Sequence, residues 1–312
     1  MSLTASHFQK LDYSELLGWR DADFDAALSA YRKSVPLGDW PDPATAHQAR
    51  EFFEENFVPV LISDGNNAHF TGYYEPEYSG SLTQSEKYFC PVFGLVETSL
   101  TRKEIDQGTA LNGHELVWLS DPVDRYFLQV QGSGRIILDS GEVLRLGYAG
   151  RNGHPYVSIG QELIRDGLLE AETISAQMVA DWLRRHPDQG REIMWRNPSF
   201  VFFQKVSGAS DQTGPIGTAG CPVTANVSIA VDTGFVPLGA PVWIEVASAA
   251  PFSSLTIAQD TGSAIKGPQR ADIFMGTGSD AGEKAGQMNS GGRLVVLLPI
   301  GLAAELCAVG DT

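Results

Sequence analysis

The chain has 312 residues, 43% of them hydrophobic, which is long for one compact domain, comfortable for two and enough to bury a core. Lys and Arg total 22 against 38 Asp and Glu, a formal charge of −16; so acidic a surface repels phosphate backbones and argues against a nucleic-acid partner. The 33 glycines favour a turn-rich β fold over a helical bundle.

The first 60 residues read as helical. From Asp23 to Val35 the spacing places Phe24, Ala27, Leu28 and Tyr31 on one stripe. Asp42-Pro43 is a helix start, with Asp as cap and Pro at the first helical position, and predicts a helix through Phe52 and Phe53 to about Phe57. From Val58 the pattern turns to short apolar runs parted by Gly, Asn and Ser. Val58 to Ile62, Tyr88 to Val96, Leu116 to Leu119, Arg125 to Gln131, Arg135 to Leu138 and Glu142 to Tyr148 read as strands. Helices return at Ile159 to Asp166, capped by Ser158, at Ala176 to Arg185 and at Arg191 to Arg196. Strands resume at Phe200 to Lys205, Val227 to Val231, Val242 to Val246, Leu255 to Gln259 and Arg293 to Pro299. There are thus two β-rich blocks with no repeat and no linker between them, which is compatible with one domain inserted in another.

The longest apolar stretch, Leu294 to Val309, is broken by Pro299, Gly301 and Glu305 and falls short of a bilayer span of about 30 Å. The start, Met1-Ser2-Leu3, has no signal peptide and reads as an expression scar in place of a leader. Cys90, Cys221 and Cys307 make no disulfide framework, though one bridge is open to them; they read as small buried hydrophobes, and their spacing fits no zinc site. The six histidines show no paired ligand spacing, so neither metal nor cofactor is expected.

The C-terminal block carries the chemistry. Asp232-Thr233-Gly234 and Asp260-Thr261-Gly262 are similar segments, and Asp272 follows in Arg270-Ala271-Asp272-Ile273-Phe274. Each lies at a strand edge or in a glycine-rich stretch, where a carboxylate stands on a rim and backbone can approach a ligand. One Asp-Thr-Gly alone is ordinary turn chemistry, Asp bonding its own backbone. Three acids within 41 positions point to a site. An aspartic peptidase would put two such aspartates on separate lobes, and Asp232 and Asp260, only 28 positions apart, leave no room for them.

Five segments in order bring a resemblance: Gly72 to Pro76 (GYYEP), Asp124 to Gly134 (DRYFLQVQGSG), Gly147 to Gly153 (GYAGRNG), Asn197 to Phe203 (NPSFVFF), and the acid block with Asp260 to Gly267 and Asp272 to Gly276. Together they resemble the membrane-bound lytic transglycosylase A family, whose C-terminal part is a three-aspartate (3D) domain. The resemblance implies a mainly β fold with peripheral helices: a double-psi β-barrel from residues 1–79 and 201–312, a smaller barrel-like β domain inserted at 80–200, and a groove between them for a glycan strand. The implied reaction is non-hydrolytic cleavage of the β-1,4 bond between N-acetylmuramic acid and N-acetylglucosamine in peptidoglycan, leaving a 1,6-anhydromuramoyl end. It also implies a periplasmic setting, with a lipid anchor to the outer membrane in the native form, and glycan strands as the partner; cell-wall synthases are a candidate second one. The run Pro268-Gln269-Arg270-Ala271 departs from the aromatic-Asp step of the family.

By family position Asp272 is the acid that protonates the leaving oxygen and then serves as base toward the sugar's own 6-hydroxyl. Its apolar flanks Ala271, Ile273 and Phe274 favour the protonated form. Asp260 is its catalytic companion, and Asp232 supports the site by fixing a psi-loop turn. In Gln129-Val130-Gln131 both glutamines of a strand would face one side and offer amides to sugar hydroxyls and N-acetyl groups. Tyr73, Tyr74 and Tyr148 could stack on pyranose faces. Gly132, Ser133 and Gly134 would let backbone approach the glycan, or form a hairpin turn. Two other classes use the same barrel: an inverting hydrolase with Asp272 as acid and Asp260 as base, and a non-catalytic, expansin-like wall-binding module.

Overall fold

The protein is described by a computed structural model covering residues 7–34, 40–171, 173–206 and 214–309. In chain order it opens with β1 (His7–Lys10), α1 (Asp25–Ser34), α2 (Ala49–Asn56), β2 (Phe57–Ser63), β3 (Ala68–Glu75), β4 (Glu77–Ser81) and β5 (Cys90–Phe93). There follow α3 (Arg102–Gln107), β6 (Glu115–Leu119), α4 (Pro122–Gln131), β7 (Gly134–Leu138), β8 (Val143–Arg151), α5 (Ile159–Arg165), α6 (Ala176–Arg185), α7 (Pro187–Trp195) and β9 (Val201–Lys205). The last part holds β10 (Ser228–Val231), β11 (Pro241–Ala247), β12 (Phe252–Asp260), β13 (Arg270–Thr277), α8 (Ser279–Gln287), β14 (Asn289–Pro299) and α9 (Ile300–Val309).

The chain divides into two compact units. One takes the N-terminal part through Tyr73, the strands up to Gly276 and the chain from Gln287 on. The other begins at Tyr74, and residues 277–286 group with it.

In the first unit the strand order is β1-β2-β14-β11-β12-β10-β13-β3, and β3 pairs in addition with β14. That pairing, Thr71 opposite Asn289 and Ala68 opposite Gly292, brings six strands round into a barrel. Within it β10 runs parallel to β12 and antiparallel to β13. The inner strand residues are apolar and buried, Val242, Ile244, Leu294 and Val296 among them. Outside, α1 and α2 cover one face with an aromatic cluster. Trp19, Tyr31, Phe52, Phe53 and Phe57 pack with Trp243, Leu255 and Leu297, and the Trp19 and Trp243 rings lie 4.9 Å apart. Each such ring contributes roughly 1.5–3 kcal/mol by leaving water.

In the second unit the order is β5-β6-β4-β7-β8-β9, with β4 and β7 parallel. A bridge from Gly94, just after β5, to Phe203 on β9 ties the two ends of this sheet. The helices α4 to α7 share a core of Val123, Tyr126, Leu163, Trp182, Leu183 and Ile193.

The fold is thus mainly β with peripheral helices, a barrel-like sheet and a second sheet domain, as expected from the sequence. Three local expectations fail. Residues 125–131 form part of helix α4, not a strand: Asp121 Oδ1 accepts from the Val123 amide at 2.8 Å, Pro122 opens the helix, and Gly132 at φ 77° closes it. The three-residue alternation at Gln129 was too short to weigh against those caps. Conversely, Asp42-Pro43 starts only a 3-10 turn (Pro43–Thr45), and a new helix begins at Ala49. The third exception is β1, a strand in the stretch read as helical, which pairs with β2 from His7 opposite Ser63 to Lys10 opposite Val60.

Candidate active site

Ala230 on β10 organises the acids. Asp260 lies opposite it across the parallel β10–β12 ladder, and Asp272 lies opposite it across the antiparallel β10–β13 ladder. Residues paired across a sheet share a face. Both carboxylates therefore stand on one side of the barrel wall, flanking β10, with Cα atoms about 10 Å apart on the ordinary strand spacing.

The two acids are held differently. Asp260 Oδ1 accepts from Thr218 N at 3.0 Å, Thr218 Oγ1 at 3.0 Å and Thr261 N at 2.9 Å, and its Oδ2 accepts from Tyr73 Oη at 3.0 Å. Asp272 Oδ1 accepts one bond, from Thr71 Oγ1 at 2.6 Å. Arg270 Nη2 in turn donates to Thr71 Oγ1 at 2.7 Å, and Arg270 Nη1 donates to the carbonyls of His69 (3.2 Å) and Ala271 (2.5 Å). A hydroxyl has one proton to give. With Arg270 donating into the Thr71 oxygen, that proton goes to Asp272 Oδ1, and a proton held by Asp272 sits on Oδ2.

Burial is the first cause of a raised Asp272 pKa, and the Asp260 carboxylate pushes the same way. The Thr71 hydrogen bond, the Arg270 guanidinium and His69 oppose it, yet the net shift is upward. Tyr73 is pushed well above its ordinary value by burial and by Asp260, so its phenol stays protonated and donates. Its ring packs on Phe274 at 5.2 Å.

The third aspartate of the triplet does something else. Asp232 Oδ1 accepts from Gly234 N at 3.1 Å, and its Oδ2 accepts from Gly267 N at 2.9 Å. It closes its own turn and ties down the loop that follows Asp260. Among the described residues no three His, Cys, Asp or Glu side chains come together as metal ligands. Cys90 and Cys221 are buried free thiols, whereas Cys307, expected to be buried with them, is a part-exposed free thiol.

The remaining candidates lie in the second unit, apart from Tyr73. Tyr74 is part-buried, its amide donates to Gln131 Oε1 at 3.3 Å, and its ring packs against Gly282, where a Cβ would come within 2.9 Å of it. Tyr148 is 52% exposed at a bulge between β8 and β9. Gln129 is not on a shared strand face with Gln131. On helix α4 the two residues point about 200° apart, and Gln129 is buried, its Oε1 accepting from Arg102 Nη1 at 2.6 Å and its Nε2 donating to the Val201 carbonyl at 3.2 Å. The glycines have internal reasons as well. Gly132 is the left-handed cap of α4, and a Cβ at Gly134 would meet Leu128 Cδ1 at 2.4 Å. Ser133 lies part-exposed between them.

Residues outside the named candidates organise these segments. Buried Arg102 donates to the carbonyls of Asn197 (3.1 Å) and Ser199 (2.6 Å) and lies 4.6 Å from the Tyr126 ring centre; burial pushes its pKa down to about 10. Asn152 bridges the carbonyls of Leu100 and Pro198, both at 2.8 Å. The Asn-Pro-Ser-Phe and Gly-Arg-Asn-Gly motifs are thus one hydrogen-bonded assembly. Thr71, Arg270 and Thr218, which hold the acids, carry no motif of their own.

Comparison with known proteins agrees with this architecture. Residues 94–204 match the MltA specific insert domain, and residues 227–298 match the 3D domain. The membrane-bound lytic murein transglycosylase A of Escherichia coli (strain K12) is 34% identical over 244 residues, 74% of this chain; the aligned stretch spans 66% of that protein's own length. A membrane-bound lytic murein transglycosylase from Agrobacterium tumefaciens superposes with a TM-score of 0.82 at 30% identity, over 96% of this chain and 99% of that one. Escherichia coli MltA with bound chitohexaose superposes with a TM-score of 0.79 at 27% identity, over 96% and 97% of the two chains.

Proposed function

The chain belongs to the membrane-bound lytic murein transglycosylase A family, and we propose that it cleaves the β-1,4 bond between N-acetylmuramic acid and N-acetylglucosamine without consuming water. The observation that carries this reading is the unequal pair: one carboxyl, Asp272, held so as to favour its proton, beside one carboxylate, Asp260, whose oxygens are already engaged.

Asp272 Oδ2 gives its proton to the glycosidic oxygen as the C1–O bond breaks. Positive charge develops at C1, and the ionised pair Asp272 and Asp260 stabilises it. The muramyl 6-hydroxyl then attacks C1, and its proton returns to Asp272. The ring closes as a 1,6-anhydro sugar, and the acid is regenerated. Holding the 6-hydroxyl in place makes the second step intramolecular, worth several kcal/mol of barrier. An inverting hydrolase would need Asp260 to activate a water, and four hydrogen bonds leave that carboxylate little room to do so. Within the second unit, Tyr148, Gln131, Tyr74 and Ser133 remain candidate sugar contacts in this reading, and Gln129, buried in its own hydrogen bonds, does not. Escherichia coli MltA has been seen with chitohexaose, a β-1,4-linked glycan chain of the kind proposed here. Action on a wall polymer sets the protein in the cell envelope, on the periplasmic side.

Mass spectrometry of digested sacculi tests the reaction: anhydro ends are expected, reducing ends would identify a hydrolase, and intact strands a binding module. The pH–rate profile tests the roles. Activity is expected to fall as pH rises through the raised Asp272 pKa. Asp260→Asn removes a charge that raises that pKa, so the alkaline limb of kcat/KM should move toward acid. Thr71→Val removes a bond to the ionised form, so the limb should move toward alkali, while kcat on the acid plateau drops about tenfold for want of an oriented proton. Thr71→Ser should restore both. Limbs that stay put in Asp260→Asn and Thr71→Val alike would remove these residues from control of the acid.

A further inference from the structure

Beside Asp260, within the first unit, lies a cavity of about 540 Å³ that the proposed reaction does not use. Its walls include Trp40, Thr218, Thr233, Thr261, Ser263 and Lys266. We propose that it binds the carboxylate-bearing peptide that a muramyl residue carries on its lactyl group, with Lys266 as the cation that receives it; this rests on the reading of the protein as a peptidoglycan-cleaving enzyme.

The lining sets the chemistry. Thr233, Ser263 and Lys266 bring polar side chains to the lining, beside Thr218 and Thr261, whose hydroxyls bond each other at 2.8 Å; Trp40, Val231, Pro237 and Leu238 are its apolar part, and no carboxylate lines it. In a chain of net charge −16, a cavity lined by a lysine and no carboxylate suits an anionic, hydrogen-bonding ligand that also has apolar parts, as a short acidic peptide does. Among the described residues no ion pair engages Lys266. Trp40 is held in place by its packing on Phe57, 6.0 Å between ring centres.

Position connects the cavity to the reaction. Thr218 and Thr261 line it and also donate to Asp260, so it adjoins the acid pair on the Asp260 side of β10. A sugar poised at Asp272 is then about 10 Å away. An extended peptide covers up to about 3.5 Å per residue, so two or three residues reach the cavity, whereas a naked lactyl group does not. The loop that presents Lys266 is anchored at both neighbours. Ile265 is 4% exposed and its amide donates to the Gly262 carbonyl at 3.0 Å, and the Gly267 amide donates to Asp232 at 2.9 Å. That anchoring gives Asp232 a purpose: it fixes the lysine loop, not the acid.

The experiment compares soluble glycan oligomers that carry their peptides with the same oligomers stripped by an amidase. For Lys266→Ala, kcat/KM on the peptide-bearing oligomer should fall about tenfold, the scale of one charge-assisted contact, with the stripped oligomer unchanged. Lys266→Glu should fall further, and both losses should shrink as salt is raised. Calorimetric binding of a free muramyl peptide to the wild type and to Lys266→Ala gives a readout independent of catalysis, and should weaken by the same factor. Equal losses on both oligomers would make the cavity a sugar subsite and overturn the proposal. So would unchanged binding of the muramyl peptide. Reducing ends from the wild type would overturn the reading of the reaction instead, and leave the binding comparison to decide the cavity.

Discussion

Asp272→Asn is expected to lower kcat by about 10³–10⁴-fold while glycan binding persists, because the amide keeps the shape of the acid but has no proton to deliver. The same substitution should not harm the fold. Asp272 has its pKa raised, chiefly by burial, so its ionised form is disfavoured in the folded protein. A group of this kind favours folding below its unfolded pKa, and that contribution is lost as pH rises through the folded value. As pH rises through the folded value the wild type must take on the disfavoured, ionised form, and Asn never does. The variant should therefore melt at or above the wild-type temperature at neutral pH, with the gap closing as pH falls. Thr71 donates equally well to an amide oxygen, so the Arg270–Thr71 contact need not be disturbed. Two measurements check this: turnover of isolated glycan strands, and Tm against pH. Residual activity above a few per cent would move the acid elsewhere, with Asp260 the first place to look. A Tm well below wild type at neutral pH would mean that Asp272 stabilises the barrel when charged, contrary to its burial.

What the sequence revealed and what it hid have physical causes. The acids were legible because they are close in sequence, and short apolar runs marked four strands of the barrel, β10, β11, β12 and β14, while β3 and β13, which carry Tyr73 and Asp272, gave no strand signal. The partners of the acids were not legible, because Thr71 and Arg270 are 199 positions apart and meet only when β3 and β13 pair. Gln129 misled for the opposite reason: a local alternation of three residues looked like a strand, while Asp121-Pro122 before it and Gly132 after it are helix punctuation. The same Asp-Pro signal at Asp42 was read correctly as a start, but the chain there turns once and stops. Local signals announce that an element begins; how far it runs is decided by what it packs against. The glycines of Gly132-Ser133-Gly134 looked like room for a ligand, and Gly134 is in fact room for Leu128.

Glu75 is one residue of the Gly72–Pro76 motif, and its removal should be the most damaging single change to the fold. It is completely buried. Its Oε1 accepts from Arg145 Nε at 3.0 Å, and its Oε2 accepts from Arg145 Nη2 at 2.9 Å, Arg135 Nε at 3.0 Å and Thr277 Oγ1 at 2.9 Å. Arg135 and Arg145 sit directly opposite each other across β7 and β8. Two like charges in that register repel, and their side chains are only 12% and 8% exposed, so water screens them little. The carboxylate is what makes the pair tolerable. Glu75→Ala would leave two guanidinium groups buried without it, at a cost of about 3–5 kcal/mol. Glu75→Gln keeps the shape and one acceptor oxygen and should cost less, while replacing all three charged residues together by apolar ones should recover much of the loss. Urea unfolding of the three variants, followed by a probe in the second unit, gives the comparison. A loss below about 1 kcal/mol for Glu75→Ala would show that water or rearranged partners can replace the carboxylate, as happens for exposed ion pairs. The position also ties stability to chemistry. The backbone of Glu75 accepts from Gly278 N at 2.9 Å, so the residue that ends β3 holds the chain just beyond β13. Those two strands carry Thr71, Tyr73, Arg270 and Asp272, and a fault at their shared end should loosen the acid's setting before the barrel itself melts.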